Sequence, residues 1–587
     1  MIQILLISLI LGGTDPGIIK TSELKPGMKG YGLTVFSGTK PVKFDVEVIS
    51  VMPKSMLNQD LILVRCSHPI LKHAGVIAGM SGSPIYIKGK FAGGLGYGYG
   101  FSKDPIALLT PAEDIIKTIK RPLRNVDVWG MKTASRSDYF GKNKTLTARK
   151  FAKASANASN SVIPLQMAMS VSGINTSAFA KLFPGINSLG PVMPGATSPK
   201  NIKSPGYVPG GAVGIWLING DINMQAIGTV THIIGNRIAV FSHPFLTMGE
   251  TRLPAGHAYI HTVIARQSSS MKLGSMLKTS GSLIKDEQAT VVIDKSMDSG
   301  FVPMKVNVSS RGESFNYNFR LARNRFITPN FINGIVRVAL RRSQQNMTDL
   351  TYTIDYQIKI KGLKTLKFTD YMSSSRGIAL GYASWNGLAN TMALRGEAAM
   401  SLLMGNPWKR LSIESVSVKA MVVTGLNNST IRALKVSSPV VYTNRPFKVN
   451  VVMKPEVGSE YTRSFTMKLP ENFKGSRIWL EVTSGRQTSV DEANPKNLTQ
   501  LVDYITKTMD SHNLVLTIKT PDPSIGINGK MIRNIPLSVL DSLSPSTTNR
   551  KRLVRQVQLR KTLRLPEIVS GKSVIQLNVK TADNEAR

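Results

Sequence analysis

Cysteine is nearly absent, with one residue, Cys66, in a chain of 587. That excludes an internal disulfide and any cysteine-built zinc cluster, and its place at the end of Leu61-Ile62-Leu63-Val64-Arg65-Cys66 suits a buried strand residue. Histidine is scarce as well, seven in all, at positions 68, 73, 232, 243, 257, 261 and 512. No H-E-x-x-H pair occurs among them, which disfavours a zincin-type metalloprotease. The apolar run at residues 1–11 falls short of the ~20 residues a bilayer span needs. It suits the h-region of an export signal, although no Lys or Arg precedes it and no clear small-x-small cleavage site follows.

Acidic residues are few: 35 Asp and Glu stand against 74 Lys and Arg, for a net charge of +39. Such a field attracts polyanions, whether nucleic acid, anionic lipid or acidic wall polymers. The densest basic run, Arg550-Lys551-Arg552 continuing through Arg555, Arg560, Lys561 and Arg564, is interleaved with Val and Leu and reads as the outer face of strands. No RNA-binding aromatic signature or zinc-finger spacing accompanies it, so a specific nucleic-acid partner is not expected. A generally basic proteome would produce the same charge.

With 42% hydrophobic residues the chain has ample material for packed cores, and its length suggests three or four domains at ~150 residues each. Strand signals dominate. Lys43 to Val48 and Thr351 to Ile360 alternate as half-buried strands do. Glycines at 93, 94, 96, 98 and 100, alternating with Tyr97 and Tyr99, suggest either a strand approached closely by another backbone or ligand, or a tight barrel corner. A short helix is expected at 112–116, with acidic residues where they suit the helix dipole, and another at 498–509 behind Asn497 as N-cap. Residues 134–161, rich in Ser, Ala, Asn and Lys, read as a surface linker. Residues 410–490 have the short alternating strands and Asn/Gly/Pro turns of a β-sandwich.

The segment richest in chemistry is Gly79-Met80-Ser81-Gly82-Ser83-Pro84, lying between the apolar run Asp60 to Val64 and a second strand-like stretch, Ile85-Tyr86-Ile87. A small-residue turn can hold one hydroxyl outward while its N–H groups converge on the place where an acyl-transfer oxyanion develops. The bland alternative is a Gly/Ser hairpin. With Glu23 to Gly32, Thr34 to Thr39, and Phe101 to Ile106 backed by Thr110-Pro111, this stretch resembles the SpoIVB-type serine peptidase domain, the stage IV sporulation protein B family, which has a trypsin-like mechanism. The resemblance implies Ser81 as nucleophile, the N–H groups of Gly79 and Ser81 as oxyanion donors, and an extended protein substrate beside Gly94, Gly96, Tyr97 and Tyr99.

Gly228 to Thr231, Ile238 to Phe245 and Met271 to Gly274 resemble the histidine-bearing half of the same family, with the two halves in reversed chain order. His243 is then the general base, in a sequence with Ser242 where the family usually has Gly. The family's aspartate before the serine is missing: the corresponding stretch reads Ser67-His68-Pro69. Asp60, Asp104 and Asp221 are the substitutes considered, with Asp221 preferred. A Ser–His dyad oriented by a backbone carbonyl is the alternative. His68 and His73 are placed in a turn before the nucleophile loop, and His257 and His261 on a strand rather than as metal ligands. Met80 stands where digestive trypsin-like enzymes carry an aspartate, so activation by a freed N-terminus is unavailable.

The expected architecture is therefore mainly β: a signal-like segment at 1–16, a serine-bearing half-barrel at 17–125, a linker and insertion at 126–205, and a histidine-bearing half-barrel at 206–300. A β-rich domain at 301–409, a sandwich at 410–490 and an α+β segment at 491–587 complete it. The expected activity is that of an exported, extracytoplasmic bacterial serine endopeptidase needing no cofactor or metal. Two alternatives stand beside it: a catalytically silent envelope interaction protein, and a binder of anionic envelope polymers or lipid.

Overall fold

The computed structural model describes most of residues 17–123, 162–174, 192–195 and 202–581. The segments 1–16, 124–161, 375–394, 543–550 and 582–587, with some shorter stretches, lie outside the described residues. The signal-like segment and the linker at 134–161 are among them. The chain divides into two units, one from residues 1–128, 146–303 and 318–331, the other built mainly from 304–317 and 332–587.

The first unit holds β1 (Lys29–Thr34), β2 (Val42–Met56), β3 (Gln59–Ser67), α1 (Pro69–Ala74), β4 (Pro84–Ile87), β5 (Lys90–Tyr99), β6 (Ile106–Pro111) and α2 (Ala112–Lys120). Three short strands follow, β7 (Val162–Pro164), β8 (Ala168–Ser172) and β9 (Val192–Pro194), inside the stretch read as linker. Then come β10 (Ala212–Gly220), β11 (Asn223–Ile234), β12 (Arg237–Val240), β13 (Gly249–Ile264), β14 (Met271–Asp286) and β15 (Val291–Asp294).

Strands β1 to β6 pair in the order β4-β1-β2-β3-β6-β5, and β4 also pairs with β5, so the sheet closes on itself. Strands β10 to β15 do the same in the order β10-β13-β14-β15-β12-β11, closed by β10–β11. Closure removes the exposed edges that an open sheet would present. Each barrel is antiparallel throughout, and side chains alternate between its interior and exterior. In β2 the inward set is Phe44, Val46 and Val48, all buried. The first barrel is filled by these with Ile62, Val64, Cys66, Ile85, Leu95 and Leu109. Burial pushes the Cys66 thiol up to about 12, so it stays a protonated, inert core group.

Two apolar seams join the barrels. In one, Val35 and Ala78 meet Ile227, Ala258, Ile260 and Met271; in the other, Phe91 and the buried face of α2 meet Ala239, Ile284 and Val292. Helix α2 runs four residues past its expected end. Its last carbonyls are capped by cations of the second barrel, since Lys285 Nζ donates to Thr118 O at 2.8 Å and Arg237 Nη1 to Ile119 O at 2.8 Å.

In the second unit, strands Phe301–Ser310, Ile413–Thr424, Leu350–Ile360 and Leu366–Ser374 lie side by side, the first pair parallel. A sandwich follows, and it differs from the expected 410–490. One sheet combines Asn428–Val436, Pro446–Pro455 and Tyr461–Lys468 with Ile568–Ser570; the other combines Val440–Tyr442 and Arg477–Ser484 with Asn513–Thr520, Gln556–Arg564 and Lys572–Lys580. The apolar faces of both sheets share one core, so the last strands complete the sandwich instead of forming a separate segment. The expected helix is present at Leu498–Lys507, with the Asn497 side chain accepting from Gln500 N at 2.9 Å. Lys561 and Arg564 are exposed on their strand, and so is the apolar Leu563 between them, so the expected alternation does not hold there.

Candidate functional site

The turn between α1 and β4 is fixed by its carbonyls. Ala78 O accepts from Lys272 N at 3.0 Å, Gly79 O from Thr229 Oγ1 at 2.9 Å, and Ser81 O from Thr229 N at 2.9 Å. Met80 O accepts from both the N and the Oγ of Ser83, at 2.9 and 2.6 Å. In a planar trans peptide the N–H points opposite to the C=O. Holding Ala78 O and Met80 O therefore aims the N–H groups of Gly79 and Ser81 away from those partners, and neither has an acceptor among the described residues. The turn needs glycine at 79 and 82, whose φ values are +94° and +91°. A Cβ at Gly82 would collide with Thr229 O and Phe241 N, which is how closely the second barrel abuts the turn. The Ser81 side chain is fully buried, and its Oγ has no hydrogen-bond partner.

His243 follows β12 through two residues in the left-handed region, Phe241 at φ +67° and Ser242 at φ +54°. Such conformations cost about 1–3 kcal/mol each and persist where the surroundings hold them. Here Thr110 Oγ1 donates to Ser242 O at 2.7 Å, Ser242 N donates to Val240 O at 2.8 Å, and Ser242 Oγ pairs with Thr231 Oγ1 at 3.1 Å. The serine that departs from the family pattern thus occupies a position whose backbone favours glycine. Room for its side chain comes from the facing strand: a Cβ at Gly94 would strike Ser242 Oγ, and one at Gly96 would strike Ser242 O.

The imidazole is buried, and its Nδ1 donates to Pro244 O at 2.7 Å. A carbonyl partner requires the proton on Nδ1, which leaves Nε2 with the lone pair a general base uses. Nε2 is itself buried without a partner. Burial pulls the ring down to about 4, and the backbone carbonyls of Pro244 and Leu165 offset part of that. His243 is therefore neutral at pH 7. The Ser81–His243 hydrogen bond that the family pattern implies is not formed, since each atom is without any partner. What surrounds them instead is protein, including the Leu165 main chain beside the imidazole.

Asp221 does not meet His243 Nδ1. It lies in the turn between β10 and β11, where its Oδ2 accepts from Asn318 N at 2.6 Å and its own N donates to Asn318 O at 3.0 Å. Asp60 is used locally as well, accepting from Lys54 N at 2.8 Å. Nδ1 is held by a backbone carbonyl, the alternative orientation raised by the sequence. His68 caps α1, accepting from Ile70 N at 3.2 Å and stacking on Phe36, and His73 lies in that helix. His261 pairs with Ser275 Oγ at 2.9 Å on β13, and His257 with Ser204 Oγ at 2.8 Å. Among the described residues no cluster of His, Cys, Asp or Glu is placed to hold a metal.

Sequence reasoning missed two residues. Asp286, at the end of β14, is almost fully buried and accepts three backbone N–H groups from the loop after the histidine: Phe245 and Leu246 at 2.7 Å each and Met248 at 3.0 Å. Burial pushes its carboxyl up, and the three N–H donors pull it back down. Lys272 is also buried, its Nζ donating to Thr34 Oγ1 at 2.7 Å and Thr229 Oγ1 at 3.3 Å, and burial pulls the amine down to about 7. The available signal was a charged residue inside an apolar strand, Met271-Lys272-Leu273 and Leu283-Ile284-Lys285-Asp286.

The glycine-rich strand is not an open shelf. Gly94 pairs with Pro84 and Thr110, and Gly96 O accepts from Leu165 N at 2.8 Å. Tyr97 is buried, its OH accepting from Gln288 Nε2 at 3.0 Å, and the half-exposed Tyr99 pairs with Val162.

Two closed antiparallel barrels meeting at a buried hydroxyl and a buried imidazole define a mainly β fold of the trypsin-like kind. Residues 17–105 match the family model of the SpoIVB peptidase S55. The match takes in the first barrel up to the start of β6, including the Ser81 turn, and ends far short of His243. No curated protein and no solved structure matches the chain.

Proposed function

We propose that the protein is an exported serine endopeptidase that cleaves protein substrates through an acyl-enzyme, with Ser81 as nucleophile and His243 as general base. The observation that carries this reading is the pair of buried, unpartnered side-chain atoms, Ser81 Oγ and His243 Nε2, in segments that abut through Gly82, Gly94 and Gly96. Buried polar atoms without partners are rare and call for a use. In the proposed reaction His243 Nε2 takes the Ser81 proton as Oγ attacks the scissile carbonyl. The N–H groups of Gly79 and Ser81 receive the oxyanion, and the imidazolium returns its proton to the leaving amine. Pro244 O stabilises the imidazolium through Nδ1–H, and Asp286 positions the ring through the loop it holds. Without a carboxylate on Nδ1 the enzyme is expected to be slow, since losing that partner costs about 10⁴ in turnover in related chemistry. An extracytoplasmic location is part of the proposal and rests on the apolar run at 1–11.

A second reading, a catalytically silent envelope protein that binds anionic polymers, is favoured by the absent Ser81–His243 hydrogen bond and the charge of +39. A fluorophosphonate probe followed by peptide mapping separates the two. The peptidase reading expects the adduct on Ser81, lost in Ser81→Ala and slowed in His243→Ala. Label elsewhere that persists in Ser81→Ala would reject it.

A further inference from the structure

One short segment of the chain runs past both the His243 ring and the nucleophile turn. Strand β7 adds to β5 in antiparallel register, with Tyr97 opposite Pro164, Gly98 opposite Ile163 and Tyr99 opposite Val162. Leu165 continues the pairing by donating its N–H to Gly96 O at 2.8 Å, and its side chain enters the first-barrel core with Met80 and Leu95. The chain then leaves the first barrel. By Ala168 it has joined the second, where β8 pairs with β11 through Ala168–Ile227 to Ser172–Asn223. The crossing passes both halves of the site: the Leu165 carbonyl lies beside the His243 ring, and Ala168 Cβ is 3.2 Å from where a Cβ on Gly79 would stand.

An extended segment paired with one barrel and running past the imidazole and the oxyanion turn is where a bound peptide would be held. We propose that the groove along β5 is the peptide-binding groove, that Val162–Leu165 fill it as an intramolecular occupant, and that substrate reaches Ser81 only when this strap leaves. The inference rests on the peptidase reading above. The strap also states the chemistry of the peptide it excludes: an extended backbone, hydrogen-bonded to Gly96 O, carrying a leucine-sized apolar side chain at the position of Leu165. Tethering gives the strap a high effective concentration, so a free peptide competes only if it binds strongly or the strap is drawn away.

The test is the rate of fluorophosphonate labelling of Ser81 in the full chain, compared among the unaltered protein, Leu165→Ala, and a Tyr99→Cys/Val162→Cys pair that locks β7 to β5 when oxidised. Hydrogen exchange at the Leu165 amide reports whether the strap has been released. The expected result is labelling at least tenfold faster in Leu165→Ala, and at least tenfold slower in the oxidised lock than in the same protein reduced. Equal rates in all forms, with Ser81→Ala blank, would leave Ser81 as nucleophile and overturn the strap. Fast exchange at Leu165 with Ser81 still unlabelled would reject the serine reading, and the strap's role with it. No release in Leu165→Ala, with no difference between locked and reduced forms, would make β7 a fixed part of the barrel and overturn its role as a displaceable occupant.

Discussion

Lys272 offers a quantitative test of how the two barrels are joined. Its amine is sealed in the seam beside the nucleophile turn with two threonine hydroxyls and, among the described residues, no carboxylate partner. Burial lowers it from 10.5 to about 7. At 1.36 kcal/mol per pH unit, that gap places a penalty of about 5 kcal/mol on the charged form, as an upper bound. The sign follows from proton counting. Between pH 7 and 10.5 the unfolded chain holds this proton and the folded chain does not, so raising the pH through that window favours the folded state. Below pH 7 both states hold it and the full penalty applies. Lys272→Met keeps the volume of the stem and removes the amine, at the loss of two hydrogen bonds worth about 1 kcal/mol each. The variant is therefore expected to be more stable than the parent at pH 6.5, by at most about 2–3 kcal/mol, with the gain shrinking toward zero or below by pH 10. Urea unfolding of both proteins across pH 6–10 measures this directly, and because every other titrating group is common to the two, their difference isolates Lys272. A stability difference that does not change with pH would refute the assignment of a buried, unpaired amine.

Gly94→Ala is expected to destabilise by about 2–3 kcal/mol through overpacking against Ser242. Ser242→Gly, which relieves a left-handed residue as it gives up one hydroxyl pair, should change stability by less than about 1 kcal/mol alone and recover most of the Gly94→Ala loss in the double variant. Additive losses would mean that the two residues do not meet. Asp286→Ala strands three backbone donors and is expected to cost about 3–5 kcal/mol. In Asp286→Asn, kcat should fall more than KM rises, because the residue acts on His243 through the loop; a change confined to KM would contradict that positioning role.

Much of the fold could be read before any coordinates. Period-two alternation at Lys43–Val48 and Thr351–Ile360 marked real strands because one face of each is buried and the other solvated. The small residues around Ser81 and along Gly93–Gly98 marked close backbone approach because a Cβ at several of those positions would overlap another segment of the same chain. The acid was not legible. Asp221 is near His243 in neither sheet register nor hydrogen bonding, and proximity in sequence carries no weight when the fold brings residues 41 apart, such as Phe245 and Asp286, into contact. The strap was illegible for the same reason: Val162-Ile163-Pro164-Leu165 looks like any short apolar run, and only its pairing with β5 shows what it covers. The extent of the sandwich escaped too, because Ile568–Ser570 pairs in parallel with Asn428–Val436 from more than a hundred residues away.

If Ser81 is the nucleophile, it forms an ester with an acyl substrate. The strap-released Leu165→Ala protein, quenched in acid seconds after mixing with a chromogenic acyl ester, should carry the acyl mass on the peptide containing Ser81, and His243→Ala in the same background should carry it only at a greatly reduced rate. A Ser81 peptide of unmodified mass in a variant whose residue-165 amide exchanges freely would show that Ser81 is not the nucleophile.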